Sequence, residues 1–202
     1  MAIEKEHCDV LVIGGGIAAL CAAISARNSG ASVTLLNKGI TGQSGSSPKA
    51  AGILAAPFGH GDLEQRPWED NAAQYASDVL RVGKNINDPS LARFVADQAA
   101  SSIRWLEGLG IKFSKAPDGG FIQLNAPGNS RPRGCCAIGG GSAIVNCLTE
   151  EVRRIGVNVL DSSKPRQLLK DGKKVFGCLF QDKSDKTKII HSKATILAAG
   201  GA

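Results

Sequence analysis

Three consecutive glycines, Gly14-Gly15-Gly16, follow directly after a short apolar run, Cys8 to Ile13. The run CDVLVI is typical of a buried parallel strand, and the segment after the glycines has helical composition. In the pattern Gly14-x-Gly16-x-x-Ala19, the first glycine permits a tight turn. The second lets the backbone approach a pyrophosphate at the amino end of the helix. The pattern predicts dinucleotide binding, and a purely structural turn is the alternative.

A polar residue at the end of the second predicted strand, Ala31 to Asn37, would complete such a site. Dinucleotide sites usually have an acid about 20 residues after the glycines, where it binds the ribose hydroxyls. Here Asn37 stands 21 residues after Gly16. An amide can hydrogen-bond a hydroxyl but adds no charge, so we expect a weaker ribose clamp. The adjacent Lys38 would reach a phosphate, or it is simply a solvated loop lysine.

The elements that must position these residues alternate along the chain. Helices are predicted over Trp68 to Val82, over the segment that Asp88-Pro89 opens, and over Ser142 to Ile155. Besides the first two strands, the apolar runs predict a hairpin, a strand before the meander, an antiparallel meander and a final buried strand: Ile111 to Phe113 with Phe121 to Leu124, Val157 to Asp161, Arg166 to Lys170, Val175 to Phe180, Thr187 to His191, and Ala194 to Ala199.

The helix that follows Asp88 has the clearest start signal, because Asp is a good N-cap and Pro89 suits the first helical position. Its spacing predicts that one apolar face packs in the core: Leu91, Phe94, Val95, Ala99 and Ile103. Trp105 is predicted to lie in the core as well.

Composition narrows the classes of function. The 202 residues have a formal net charge of +6, but the basic residues form no dense cluster, so nucleic acid is not an expected partner. Six cysteines show no CxxC spacing, and no stretch approaches the length of a membrane helix. We therefore expect one cytoplasmic domain without membrane insertion. His7, His60 and His191 have no partner at ligand spacing, so no metal site is expected.

The segment after the second strand distinguishes FAD from NAD. Lys38 to Lys49 (KGITGQSGSSPK) is a loop of small polar residues, which can lie along a pyrophosphate and a flavin ring without crowding them. The meander before a final strand that ends in Gly200-Gly201 also favours FAD. An NAD-dependent dehydrogenase is the disfavoured alternative.

Six segments along the chain are informative together: DVLVIGGGIAAL, SGASVTLLNKG, SSPKAAGILAA, GKNINDPSLARFVADQAASSIRWLEGLGIKF, SRPRGCC and ATILAAGGA. Through these segments the whole chain resembles the flavoproteins of the fumarate reductase, succinate dehydrogenase and L-aspartate oxidase family. The resemblance implies an α/β fold of the FAD-binding, glutathione-reductase type, with a Rossmann-like parallel sheet and a β-meander over residues 1–202. It also implies hydride transfer through flavin N5 to or from a small carboxylate such as fumarate, succinate or aspartate.

By the same resemblance, several residues would line FAD: Gly14, Gly16, Ala18, Lys38, Ser44, Ser46, Ala50, Ala51, Gly52, Ala199 and Gly200. Backbone groups of Gln167 or Leu168 would bind the adenine. The loop with Arg131 and Arg133 resembles one that faces the flavin, although a role outside the site is an equal alternative. Cys135 and Cys136 are expected to be packing residues.

Two departures from the family qualify the resemblance. The loop from Thr41 to Lys49 has no histidine for covalent attachment, so the FAD is expected to be non-covalent. The family also continues beyond the point that Ala202 matches, and its catalytic arginine and carboxylate-binding residues belong to that continuation. We therefore expect an N-terminal part whose catalytic residues are unknown. Its expected substrate is a small carboxylate, and its expected partner is an electron-transfer or complementing subunit. The alternative is a non-catalytic FAD-binding module, or one half of a split flavoprotein.

Overall fold

The computed structural model describes residues 4–59, 69–84 and 86–201. Trp68, the predicted start of a helix, and His60 lie outside the described residues. The chain divides into two compact units: Met1–Lys49 with Ile144–Ala202, and Ala50–Ala143. The single FAD-binding domain expected over residues 1–202 stays a prediction.

The helices in chain order are α1 (Ile17–Asn28), α2 (Ala72–Val82), α3 (Pro89–Gly108) and α4 (Gly140–Arg154). The strands are β1 (Lys5–Ile13), β2 (Val33–Leu36), β3 (Ile53–Ala55), β4 (Gln123–Leu124), β5 (Gly134–Cys136), β6 (Asn158–Leu160), β7 (Lys164–Asp171), β8 (Lys174–Gln181) and β9 (Thr187–Leu197). A 3-10 turn covers Ser47–Lys49.

The first unit is built on a six-stranded sheet with the strand order β6-β2-β1-β9-β8-β7. Strand β1 runs parallel to both β2 and β9, and β2 runs parallel to β6. Strands β7, β8 and β9 form an antiparallel meander. The predicted α/β class with a parallel sheet and a meander is confirmed. Because β1 and β2 are parallel, the glycine triplet and Asn37 follow the same edge of the sheet.

Strand β9 corrects two predictions at once. The segments Thr187 to His191 and Ala194 to Ala199 were expected to be separate strands, but they form one strand that ends at Leu197. Its first half pairs with β8, while β1 pairs along nearly its whole length. No turn residue interrupts the segment, so a single extended strand serves both the meander and the parallel sheet. The end of the strand is also not buried, since Leu197 is 63% exposed.

The core of the first unit explains why α1 can lie so close to the sheet. Ala19 and Ala23 of α1 are fully buried, and such short side chains allow a close approach of the helix to the strands. A cluster of buried core residues joins strands of the parallel part of the sheet and of the meander: Leu11, Ile13, Leu36, Cys178, Phe180 and Ile190.

In the second unit, α2 and α3 pack against each other. Asp88 caps α3 as predicted, because its carboxylate accepts hydrogen bonds from the Ser90 and Leu91 amides. The predicted apolar face is right only at Ile103, since the other buried residues are Ala92, Ala96 and Leu106. The buried positions are four, seven and three residues apart, so they form one helical face that is rotated from the predicted one. Leu91, Phe94, Val95 and Trp105, all predicted to be buried, are exposed.

The second unit also contains a small sheet with the order β3-β5-β4. The predicted hairpin is present as a bridge between Lys115 and Phe121, beside Asp118, rather than as two full strands. Cys135 lies fully buried in β5, and burial raises the pKa of its thiol to about 12. A thiol that stays protonated is a poor nucleophile, which agrees with the predicted packing role.

Candidate functional site

A cavity of about 550 Å³ opens in the first unit, where β1, β2 and β9 end. Its size is typical of small-molecule sites, and such crevices lie at the carboxyl ends of parallel strands. The structure brings most of the predicted cofactor-binding residues together here: Gly14, Gly16, Ala18, Asn37, Lys38, Ser44, Ser46, Ala199 and Gly200. Residues that sequence reasoning did not assign to the site also line it, among them Gly15, Ser47, Pro165 and Ala198.

Each glycine of the triplet is required for a different reason. Gly14 has a φ of +137°, and a Cβ atom there would overlap the carbonyl oxygen of Ala198. A Cβ atom on Gly15 would overlap the side-chain amide of Asn37. At Gly16 the backbone is ordinary, and a Cβ atom would lie 2.9 Å from the hydroxyl of Ser47. Gly14 therefore serves the fold, Gly15 makes room for Asn37, and Gly16 keeps the cavity open.

The amino end of α1 is prepared to bind an anion. Its N-cap is Gly16, which has no side chain to cap the helix, and the first turn contains no acidic residue. The amide of Ile17 donates to the Ser47 hydroxyl at 3.3 Å, which is long for a hydrogen bond. The unsatisfied amides and the helix dipole together favour a negative group. Ser47 was missed as a site residue, although its place among Ser46, Pro48 and Lys49 was a usable signal.

Asn37 follows β2 and is 5% exposed. Its Nδ2 donates to the hydroxyls of Thr41 at 3.3 Å and Ser44 at 3.4 Å. Its Oδ1 accepts from the Gly39 amide at 3.4 Å. These bonds are all long, so the side chain is held in place while its hydrogen-bonding capacity is not exhausted. Lys38 is exposed beside it and lines the same cavity.

Five of the predicted residues lie outside the lining of this cavity. Ala19 is buried in α1, and Leu168 packs against the core cluster of the first unit. Ala50, Ala51 and Gly52 belong to the second unit. There a Cβ atom on Gly52 would lie 2.6 Å from the backbone of Gly140, so this glycine is required by local packing. A role of these five residues in cofactor binding stays a prediction.

Arg133 lies in the second unit at the centre of a buried ionic cluster. It is fully buried, and its guanidinium binds both oxygens of Asp70 at 2.7 and 2.8 Å and Oδ2 of Asp78 at 2.6 Å. Burial opposes ionisation of Asp78, but hydrogen bonds from Arg133, Ser130 and Arg81 outweigh it and hold the pKa of Asp78 below its usual value. The donors of Arg133 are committed to these partners, which supports a structural role.

In the described ranges, 4–59, 69–84 and 86–201, no group of three or more His, Cys, Asp or Glu residues could hold a metal ion. No helix there has both the length and the apolar character needed to cross a membrane.

A second cavity of about 500 Å³ lies on the first unit beside the stacked rings of His7 and His191.

The family model of the FAD binding domain matches residues 9–202, which is nearly the whole chain. The chain belongs to this FAD binding domain family. FAD is thus its cofactor, and the expectation of FAD rather than NAD is confirmed. Because the match begins at Asp9, it includes the glycine triplet, Asn37 and the final Gly200-Gly201.

Two similar proteins support this family assignment. The chain is 31% identical over 205 residues to one subunit of the fumarate reductase (CoM/CoB) of Methanothermobacter marburgensis, covering 100% of this chain and 36% of that protein. It is 32% identical over 196 residues to the L-aspartate oxidase of Caulobacter vibrioides, covering 95% of this chain and 37% of that protein. The chain thus spans about a third of the length of these relatives.

Solved structures support the same fold. The Sdh1 structure from Mycobacterium smegmatis, in complex with UQ1, superimposes with a TM-score of 0.85 at 27% identity. The match covers 98% of this chain and 35% of that one. The predicted resemblance to the fumarate reductase and L-aspartate oxidase flavoproteins is confirmed, and so is the predicted fold class.

Proposed function

We propose that this chain is the FAD-binding part of a flavin-dependent oxidoreductase that acts on a small carboxylate. The observation that carries the proposal is that the glycine triplet, the amino end of α1 and Asn37 all line one cavity. When bound, FAD supplies hydride transfer through its N5 atom. The residues of this chain bind and orient the cofactor.

The pyrophosphate is assigned to the amino end of α1. Gly16 puts no side chain at the amino end of the helix, and the Ile17 amide has only a long bond to the Ser47 hydroxyl, at 3.3 Å. The Ser46 and Ser47 hydroxyls and the exposed Lys38 line the same cavity and can add hydrogen bonds and charge. The ribose is assigned to Asn37, because its side-chain oxygen can still accept a hydrogen bond from a ligand in the cavity. The residues present therefore fit the ADP portion of FAD.

The substrate class rests on the relatives, whose names denote fumarate reduction and L-aspartate oxidation. Carboxylate recognition needs fixed cations. Arg133 is committed to Asp70 and Asp78, whereas the neighbouring Arg131 is exposed. We therefore propose that substrate binding is completed by a complementing or electron-transfer subunit, or by a further segment that corresponds to the rest of the relatives.

A non-catalytic FAD-binding module, or one half of a split flavoprotein, is the second candidate. It is favoured by the commitment of Arg133, the buried cation of the Gly/Pro loop, to Asp70 and Asp78. Titration with FAD tests the shared part of both proposals, and we expect saturable binding with one FAD per chain. Reduced viologen and fumarate, with and without added FAD, test whether the chain alone is catalytic, which neither candidate predicts. We expect turnover by the chain alone to stay below about 1 s⁻¹, the low end of ordinary enzymes. Faster turnover would contradict both candidates.

Flavin bound to the chain is expected to be non-covalent, because residues 38–49 contain no histidine, cysteine or tyrosine for attachment. Precipitation with trichloroacetic acid should therefore leave a white pellet and a yellow supernatant. Denaturation in guanidinium followed by filtration is the control, since it releases the same flavin without acid. Flavin that stays with the polypeptide in both treatments would contradict the prediction.

A further inference from the structure

A half-buried carboxylate, Asp161, is connected to the side chain of Asn37 although it is 124 residues further along the chain. It follows β6, which pairs with β2, so the two residues end neighbouring strands. The Oδ1 atom of Asp161 accepts from the backbone amide of Thr41 at 2.8 Å and from the Thr41 hydroxyl at 2.6 Å. The same hydroxyl oxygen accepts from Asn37 Nδ2 at 3.3 Å. Asp161 does not line the cavity itself.

The number of hydrogens in this chain of bonds, together with the Ser44 hydroxyl that accepts from Nδ2 at 3.4 Å, sets which way the Asn37 amide faces. A threonine hydroxyl has one hydrogen, and a carboxylate can only accept. Because the Thr41 hydrogen is given to Asp161, the Thr41 oxygen is left as an acceptor. It therefore requires the NH2 group of Asn37 rather than the carbonyl oxygen. The Asn37 Oδ1 atom then has only the long bond from Gly39, at 3.4 Å, and keeps a lone pair for a ligand.

We infer that Asp161 is a positioning residue that makes Asn37 a hydrogen-bond acceptor for a ribose hydroxyl. The inference deepens the proposed function and rests on it. It also explains why Asn37 stands where dinucleotide sites usually have an acid. With an acid at both positions, two carboxylates would compete for the single hydrogen of Thr41. With Asn37, the side-chain oxygen is available to accept from the ribose, and the negative charge of Asp161 lies on the far side of Thr41.

The test compares ADP with 2′,3′-dideoxy-ADP, which lacks the hydroxyls that Asn37 would accept from. Isothermal titration gives the ratio of the two dissociation constants for each variant. A hydrogen bond of ordinary strength, about 1.4 kcal/mol, predicts a ratio of about 10 in the wild type. In Asp161→Ala, where nothing accepts the Thr41 hydrogen, and in Thr41→Val the ratio should fall below the wild-type ratio. Asp171→Ala, at an exposed aspartate that ends β7, is the matched control and should keep the wild-type ratio.

D161N keeps an oxygen in the place of Oδ1, so the Thr41 amide and hydroxyl can still donate to it. We therefore expect D161N to keep at least half of the wild-type ratio, in contrast to Asp161→Ala. Equal weakening of both ligands in Asp161→Ala, with an unchanged ratio, would assign Asp161 a merely structural role and overturn the inference. A ratio in D161N that falls as far as in Asp161→Ala would overturn it too. Wild-type protein that binds neither FAD nor ADP would instead refute the proposed function itself.

Discussion

Replacing Gly16 by valine should weaken FAD binding at least about 100-fold, which corresponds to the loss of two hydrogen bonds to a charged group. A Cβ atom at this position would lie 2.9 Å from the Ser47 hydroxyl, and the branched side chain would fill the part of the cavity beside the amino end of α1. The pyrophosphate would then no longer reach the backbone amides. The fold should survive, because Gly16 has a φ of −88° that any residue can adopt.

Quenching of FAD fluorescence measures the affinity, and far-UV circular dichroism measures the fold. Gly108→Val is the matched control, since Gly108 ends α3 in the second unit and a Cβ atom there has nothing within 4 Å. Gly14→Val should differ from Gly16→Val, because it should affect the stability of the fold rather than FAD binding alone. The side chain would collide with the Ala198 carbonyl, so the first unit itself should be strongly destabilised. Wild-type affinity in folded Gly16→Val protein would contradict the assignment of the pyrophosphate.

Replacing Arg133 by methionine should lower the free energy of unfolding by about 3–5 kcal/mol, the usual cost of removing one partner of a buried ionic group. The substitution leaves the carboxylates of Asp70 and Asp78 without their cation, and their side chains are 0% and 7% exposed. Arg133 also lies over the ring of Tyr75, with the guanidinium carbon 5.0 Å from its centre.

Urea unfolding followed by circular dichroism measures the change. Arg93→Met is the matched control within the same unit, because Arg93 pairs with Asp97 on the exposed surface of α3 at 3.0 Å. An exposed pair of this kind contributes less than about 1 kcal/mol. If both substitutions cost the same, the buried cluster would not stabilise the unit as argued.

The effect of Arg133→Met should also depend on pH. Since the folded state holds the pKa of Asp78 below its ordinary value, the ionised form contributes stability above that value of about 3.9. The contribution is lost as the pH falls below it, because the unfolded state then binds more protons than the folded state. The difference in unfolding free energy between wild type and variant should therefore be full at pH 6 and decline below about pH 4. A difference that grows as the pH falls would contradict this linkage.

The sequence alone determined the features that depend on neighbouring residues. The strand, glycine triplet and helix from Cys8 onward are specified by residues a few positions apart, and so is the N-cap of α3 at Asp88. The small polar loop and the meander were sufficient to distinguish FAD from NAD, which the family match confirmed. Local signals of this kind suffice because backbone propensities, caps and turns are set within one or two turns of chain.

Only the tertiary structure decided which faces meet and which distant side chains share a hydrogen. The larger residues of α3 looked like its core face, but the buried face of the helix carries Ala92 and Ala96, and Phe94 is exposed. Gly14 reads as a turn glycine, yet the carbonyl of Ala198 is what excludes a side chain there. Asn37 looked like a weakened ribose clamp, but the fold places Asp161 behind it, through Thr41. Spacing along the chain cannot predict such contacts, because they depend on which strands pair and on the number of hydrogens that each group can donate.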